Sequence, residues 1–270
     1  MKHELINEDV LEALAQIQDE SIDMILTDPP YMISREITIS RSGNYKYRGN
    51  DISNDFGEWD KAWESGEEYI EWSKRWWKEC VRVLKPYHHF LFFFDKAKVS
   101  HAWDFMAKNG MLPRSPIFWK KTNPVPRARK VDFMISIEEM LWFTKTSIKQ
   151  DHFNWQNGMS SDCFEGPIVG HTTKEDGDRI HPTQKPVSMM EWLIKYLSNK
   201  GDTILDCFAG SGTTGVAALR LGRNFIGIEK DVTFFNASRR RLERYNGQTE
   251  LEERLDMEWV TDNLTEVALK

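Results

Sequence analysis

The stretch DTILDCFAGSGTTGVAALRLGRNFIGIEKD, residues 202–231, decides the fold. It opens on a short apolar run that ends in an acid, Asp206. It then passes through Gly210, Gly212 and Gly215 in G-x-G-x-x-G spacing and continues with apolar residues at helical intervals. A second apolar run closes on Glu229, 19 residues after Gly210. Strand, glycine turn, helix and acid-terminated strand in that order make a nucleotide-binding βαβ unit. Its glycines let the backbone approach a ligand, and its terminal carboxylate accepts hydrogen bonds from ribose hydroxyls. The alternative is an ordinary glycine turn followed by a surface glutamate.

The residues around the turn narrow the ligand. A dinucleotide needs a second mononucleotide half downstream, but only one helical pattern and an acidic tail follow Glu229. Asp206 beside the turn would repel a pyrophosphate and would neutralise an ammonium group. S-adenosylmethionine, with its ammonium, carboxylate and sulfonium, suits this loop better than NAD or FAD.

Outward from this unit the alternation of strand and helix continues. SMMEWLIKYL upstream reads as a helix, and a last helix should run to about Tyr245. Near the N-terminus, ELI is a short strand, and EDVLEALAQI places Val10, Leu11, Leu14 and Ile17 on one helical face. SIDMILT, residues 21–27, reads as a strand buried on both faces, hence part of a parallel sheet. Residues 63–84 carry Ile70, Trp76, Trp77, Val81 and Leu84 at helical spacing and stop at Lys85-Pro86. A strand over 87–94, a helix over 97–109 ended by Gly110, and the strands PIFWKK and EEMLWFTK follow. Residues 145–180 are rich in Asn, Gly, Ser and Thr and read as loop. The chain therefore divides into a first half over 1–144, an insertion over 145–180, a second half of the same α/β domain over 181–246, and a tail over 247–270.

The strand at 21–27 ends in Asp28-Pro29-Pro30-Tyr31. Consecutive prolines remove two backbone donors and fix two φ angles, which continues a strand badly but holds polar atoms still. At the carboxyl edge of a parallel sheet, Asp28 would face the ligand crevice. Its carboxylate and the Pro29 carbonyl could grip the two N–H bonds of a planar amine and steady the charge that develops when that nitrogen attacks a methyl group. Tyr31 would stack on the ring that carries the amine. An Asp-Pro turn followed by a core tyrosine is the plain alternative.

Composition bounds the rest. The 270 residues are 40% hydrophobic and 12% aromatic, with 11 Trp, which places the chain outside the disordered class. The longest apolar run, FLFFF, is too short to span a bilayer, and MKHELINEDV lacks a secretory core, so a soluble, unexported protein is expected. Three scattered cysteines, Cys80, Cys163 and Cys207, suit a reducing cytoplasm and show no metal-ligand spacing. The net charge of −6 argues against indiscriminate coating of nucleic acid. It leaves room for local basic clusters: Lys120, Lys121, Arg127, Arg129 and Lys130 in one, and Arg35, Arg41, Lys46 and Arg48 in another.

Together, DPPY at 28–31, HPTQKP at 181–186 and FAGSG at 208–212 resemble the amino-methylating DNA methyltransferases, which modify adenine N6 or cytosine N4. The order is that of their beta group. The resemblance spans most of residues 4–245 and implies a Rossmann-like S-adenosylmethionine-dependent methyltransferase fold. That fold has a mostly parallel sheet, helices on both faces and a circularly permuted motif order.

Residue by residue, the resemblance implies that Asp28 and Pro29 bind the target amine, with Pro30 bracing the backbone and Tyr31 stacking on the base. Phe208, Ala209, Gly210, Ser211, Gly212 and Thr213 would cradle the methionine part of the cofactor, with Asp206 near its ammonium and Glu229 on the ribose. Asp9 matches an acid near the adenine, or caps a helix. Thr183 and Lys185 match residues that complete the cofactor pocket, although Lys185 also reads as a solvated lysine. His181 is given a structural role, because direct attack by the amine needs no prior deprotonation. Cys207 stands where relatives often have proline.

The DPPY form favours adenine N6 over cytosine N4. DNA is the implied partner, with the target base flipped out or single-stranded. Lys120, Lys121, Arg127, Arg129 and Lys130 would meet phosphate, and Arg35, Arg41, Lys46 and Arg48 would lie on a mobile loop over about 33–60. Residues 145–180 would read the target. A homodimer and a cognate restriction endonuclease are further candidates suggested by the resemblance, and no metal is expected. An enzyme acting on RNA or a protein amide, or a non-catalytic DNA-binding regulator, stands as the alternative. The permuted order counts against the first, and intact Asp28, Tyr31 and Glu229 count against the second.

Overall fold

The computed structural model describes residues 2–32, 38–39, 52–53, 63–125, 133–145, 152–169 and 184–245. In chain order these form β1 (His3–Ile6), α1 (Val10–Gln16), β2 (Ile22–Thr27), β3 (Thr38–Ile39), β4 (Ile52–Ser53), α2 (Gly66–Val83), β5 (Leu84–Phe93) and α3 (Val99–Lys108). There follow β6 (Met111–Pro113), β7 (Ile117–Lys121), β8 (Ile137–Lys145), β9 (Cys163–Gly166), α4 (Val187–Leu197), β10 (Thr203–Asp206), α5 (Thr213–Arg220) and β11 (Asn224–Ile228). A helix over 232–245 completes the described chain.

The main sheet runs β1-β11-β10-β2-β5-β8-β7-β9, with β6 also paired to β8. The first five strands are mutually parallel, and β8 then runs antiparallel to β5, β7 and β6. Every residue of β2 is buried, which fits its place between β10 and β5 with helices above and below. Period-two alternation divides the two cores. Ile25, Phe90 and Phe92 pack with Trp76 and Trp77 of α2 on one face. Met24, Leu26, Leu91 and Phe93 pack with α4, α5 and Leu242 on the other. The mixed α/β sheet with helices on both faces is the fold read from the sequence.

Local chemistry explains the element ends. Asp9 caps α1, its carboxylate accepting the Leu11 N–H at 3.0 Å. Ser65 caps α2 by accepting from the Glu68 N–H at 3.1 Å, so this helix begins at Gly66, three residues later than the apolar pattern suggests. Its buried face, Tyr69, Ile70, Ser73, Trp76, Trp77, Cys80 and Val83, repeats at three and four residues. The strand expected over 87–94 starts early, at Leu84, and is interrupted. Ile22 faces Leu84 and Met24 faces His89, so one residue of β2 spans four of β5, and Tyr87 in that bulge has φ +68°. In the main sheet, β6 and β9 escape the periodicity altogether, as do the two-residue strands β3 and β4 of the second sheet. β6 has three residues, and β9 lies inside the polar stretch read as loop, pairing in parallel with β7.

Candidate active site

The carboxyl ends of β2, β10 and β11 open into one cavity of about 740 Å³. Asp9, Asp28, Pro29, Pro30, Tyr31, Lys185, Asp206, Phe208, Ala209, Gly210, Ser211, Thr213 and Glu229 all line it. Two motifs almost two hundred residues apart in sequence thus meet because β10 lies directly beside β2.

The glycine turn forms the floor. Glu229 is gripped through both oxygens, accepting the Gly210 N–H at 2.8 Å and the Asp231 N–H at 2.8 Å. Those bonds aim its carboxylate, and each oxygen keeps lone-pair capacity for a ligand hydroxyl. Gly212 has φ +75° at the start of α5, a conformation that favours glycine, and an added Cβ would stand 3.0 Å from the Ser238 Cβ. Gly215 has a different task. A Cβ there would fall 2.6 Å from the Phe225 ring and 2.8 Å from Leu242, so its bare backbone lets α5 lie close on the sheet.

Asp206 is buried and accepts the Thr27 hydroxyl at 2.7 Å and the Phe208 N–H at 3.1 Å. Burial pushes its pKa up to about 6, against the opposing hydrogen bonds. A desolvated acid of this kind invites a cation. With the ribose-binding geometry at Glu229 and the apolar walls supplied by Phe208, Trp72, Val232 and Phe234, the donor set fits S-adenosylmethionine. Asp9 both caps α1 and takes Lys230 at 3.1 Å at the cavity rim.

The Asp28-Pro29-Pro30-Tyr31 turn is held from three sides. Fully buried Tyr69 donates its hydroxyl to the Pro30 carbonyl at 2.7 Å. Lys98, paired with Asp95 at 2.5 Å, donates to the Tyr31 carbonyl at 3.3 Å. The proline pair is therefore rigid through its ring geometry and through side chains that fix the carbonyls beside it. Tyr31 does more than offer a ring face, since its hydroxyl donates to the Asp28 carboxylate. Lys185 completes the group, with Nζ 2.5 Å from Asp28 Oδ2. It lines the shared cavity and is buried rather than solvated, and its ammonium is held by Asp28. Burial raises Asp28 above the usual carboxylate range, and Lys185 and Tyr31 offset this only in part.

Sequence reasoning missed Tyr69, Lys98, Trp63 and Trp72, which look like ordinary helix and loop residues. It also missed Glu138 on β8, which holds Lys121 at 2.5 Å. Lys121, expected to meet phosphate, is only 11% exposed at its side chain and points into this pair, whereas Lys120 is exposed beside Glu165. Arg35, Arg41, Lys46, Arg48, Arg127, Arg129, Lys130, His181 and Thr183 lie outside the described residues, as do most of the 33–60 loop and the tail. Among the described residues no group of three or more His, Cys, Asp or Glu could hold a metal ion, and no helix is long and apolar enough to cross a membrane.

A parallel-centred sheet whose carboxyl edge joins an adenosine cradle to a rigid Asp-Pro-Pro-Tyr turn defines a Rossmann-like S-adenosylmethionine-dependent methyltransferase. The family model N6_N4_Mtase, described as DNA methylase, matches residues 22–240, and the chain belongs to that family. It is 36% identical over 250 residues to the type II methyltransferase M2.DpnII of Streptococcus pneumoniae, covering 90% of each chain. Against M.HinfI of Haemophilus influenzae it is 31% identical over 248 residues, covering 88% of this chain and 67% of that one. Among solved structures, the M1.HpyAVI complex with S-adenosylmethionine superposes with a TM-score of 0.64 at 26% identity, covering 89% of this chain and 98% of that one. The cytosine-N4-specific PvuII DNA methyltransferase shares the fold, with a TM-score of 0.70 at 20% identity and coverage of 92% and 91%. The enzyme is thus an S-adenosylmethionine-dependent DNA methyltransferase.

Proposed function

We propose that the methyl group is transferred to the exocyclic N6 amine of adenine, on a base flipped out of the helix into the cavity beside Asp28. One observation carries the mechanism: the Asp28-Pro29 edge and the Gly210–Glu229 cradle line a single cavity. The cofactor, when bound, supplies an electrophilic methyl group. This chain's residues then prepare the nucleophile. Asp28 accepts one N–H of the amine and the Pro29 carbonyl accepts the other, which localises the nitrogen lone pair for in-line attack. As the new N–C bond forms, the methyl–sulfur bond breaks and the sulfur leaves as the neutral thioether of S-adenosylhomocysteine; the surplus proton on nitrogen passes to Asp28, whose raised affinity for protons suits that role. Tyr31 stacks on the base, and Phe208 with Trp72 keeps water from the methyl path.

The choice of adenine rests on the DPPY tetrapeptide. Residues 145–180 are assigned to target recognition, and Lys120, Arg127, Arg129, Lys130 and the Arg35–Arg48 group to phosphate contact. Relatives named type II methyltransferases support a place beside a cognate restriction endonuclease in the cytoplasm. A homodimer, implied by the resemblance, is checked by sedimentation. The central test incubates the protein with labelled S-adenosylmethionine and unmethylated plasmid DNA, then hydrolyses the DNA to nucleosides. Label is expected in N6-methyladenine, and label in N4-methylcytosine would refute the base assignment. Asp28→Ala should lower the rate by about 10²-fold or more, as expected when a group acting on the developing charge is lost. Transfer at the wild-type rate would refute the catalytic assignment.

A further inference from the structure

Glu138 lies outside the cavity lining, and no motif marks it. Yet it and Asp28 share one buried ammonium. Lys185 Nζ stands 2.5 Å from Asp28 Oδ2 and 3.5 Å from Glu138 Oε2, and its side chain is only 6% exposed. Glu138 Oε1 is taken by Lys121 at 2.5 Å. Glu138 Oε2 is buried and makes no hydrogen bond of ordinary geometry among the described residues. Its nearest cation among the described residues is the Lys185 ammonium at 3.5 Å, longer than a charged hydrogen bond, so this oxygen keeps acceptor capacity for a closer approach.

On the other side of the ammonium, the acceptors of Asp28 are engaged. Oδ1 takes the Tyr31 hydroxyl and Oδ2 takes Lys185. A target amine offers N–H donors of the same kind, and although Oδ2 keeps a second lone pair, an ammonium at 2.5 Å crowds the amine and draws off the negative charge that would steady it. The ammonium cannot retreat into solvent, because Phe93 lies 4.4 Å away across its ring face and the surroundings are buried. Its alternative is Glu138. Moving from 3.5 Å to a charged hydrogen-bond length of about 2.8 Å requires less than a rotamer change.

We propose that Lys185 is a positioning residue that holds the amine seat on Asp28 in the DNA-free enzyme and passes to Glu138 Oε2 when the target base arrives. Glu138 is the acceptor that permits the handover. Only hydrogen bonds are exchanged, and no proton changes owner. The inference rests on the reading of Asp28 as the amine-binding group.

The test is a double-mutant cycle of Glu138→Gln and Lys185→Met, read as the single-turnover rate of label transfer to saturating unmethylated plasmid DNA. The rates are taken across pH 6 to 9, because Tyr31, Lys185 and Glu138 all face Asp28 and removing Lys185 moves its activity limb to higher pH. In the native background Glu138→Gln should slow transfer about tenfold while S-adenosylmethionine affinity stays within about twofold. In the Lys185→Met background the same change should cost less than about twofold, because no ammonium needs rehousing. An equal penalty in both backgrounds would mean that Glu138 acts only structurally and would overturn the proposal. Loss of all transfer in every Lys185 variant would overturn it too, since a residue that leaves before chemistry is not required for chemistry. If Lys185→Met fails to fold, Lys185→Gln carries the same cycle. Failure of the functional reading looks different: wild-type protein would leave the DNA unlabelled, or Asp28→Ala would retain full transfer.

Discussion

At the scale of single residues, the burial of Asp206 makes a testable link between pH, stability and ligand binding. Its pKa of about 6 lies above the ordinary value of 3.8, so the folded protein holds this proton more tightly than the unfolded chain does. The sign follows: below about pH 4 the group is neutral in both states and costs nothing. Between about pH 4 and pH 6 a cost to folding accumulates, reaching about 3 kcal/mol above pH 6. An ammonium beside the carboxylate relieves that cost. S-adenosylmethionine affinity, measured by calorimetric titration, should therefore be level near pH 7 and weaken by up to about tenfold per unit below about pH 6. Asp206→Asn should flatten that limb, lower affinity at pH 7 by about tenfold or more, and raise the melting temperature of the ligand-free protein. Retention of the pH limb in the Asn variant would assign the titration elsewhere.

That Asp28, Asp206 and Glu229 would line one cavity was legible in the sequence because each follows or closes an apolar strand at the edge where α/β ligands bind. Glu138 was not legible. It sits within a strand whose alternation looks ordinary, and its partner Lys185 lies 47 residues further along the chain. Long-range ion pairing leaves no periodic mark.

At the scale of elements, α5 and β11 show what the glycine spacing encodes. The contact of Gly215 with Phe225 and Leu242 is tighter than any side chain allows. Gly215→Ala must push α5 off the sheet or shift Phe225, so it should destabilise the fold by about 1–3 kcal/mol in spite of the better helix propensity of alanine. Chemical denaturation checks this, and an unchanged or raised midpoint would show that α5 has room. The long amphipathic elements were readable for the same reason, because 3.6-residue and two-residue periods report burial directly. β6 and β9 were not, since three or four residues at the edge of a sheet carry too little alternation to separate from loop. The bulge before His89 was equally hidden. Only pairing with β2 reveals that Leu84 belongs to the strand.

At the scale of the whole molecule, the motif order and the sheet order are one fact. The Asp28-Pro29-Pro30-Tyr31 turn precedes the glycine turn by almost two hundred residues, and they share a cavity because the chain returns to insert β10 between β2 and β11. The net charge of −6 then restricts how DNA can be held: affinity must come from a few local cations rather than from the overall field. Lys121 is not one of them, being locked to Glu138. The logarithm of DNA affinity should fall linearly with the logarithm of salt concentration. Replacing Arg127, Arg129 and Lys130 together by alanine should flatten that slope by about 2 to 3, at about 0.9 for each phosphate that is no longer neutralised. Lys121→Ala should leave the slope unchanged. The triple variant should still methylate at close to the native single-turnover rate once DNA is saturating, because phosphate contacts position the duplex without touching the reacting amine. Anisotropy titrations between about 50 and 300 mM salt measure the slopes. If Lys121→Ala flattens the slope as much as the triple change, the inward pair with Glu138 opens on DNA and the phosphate surface extends to the catalytic edge.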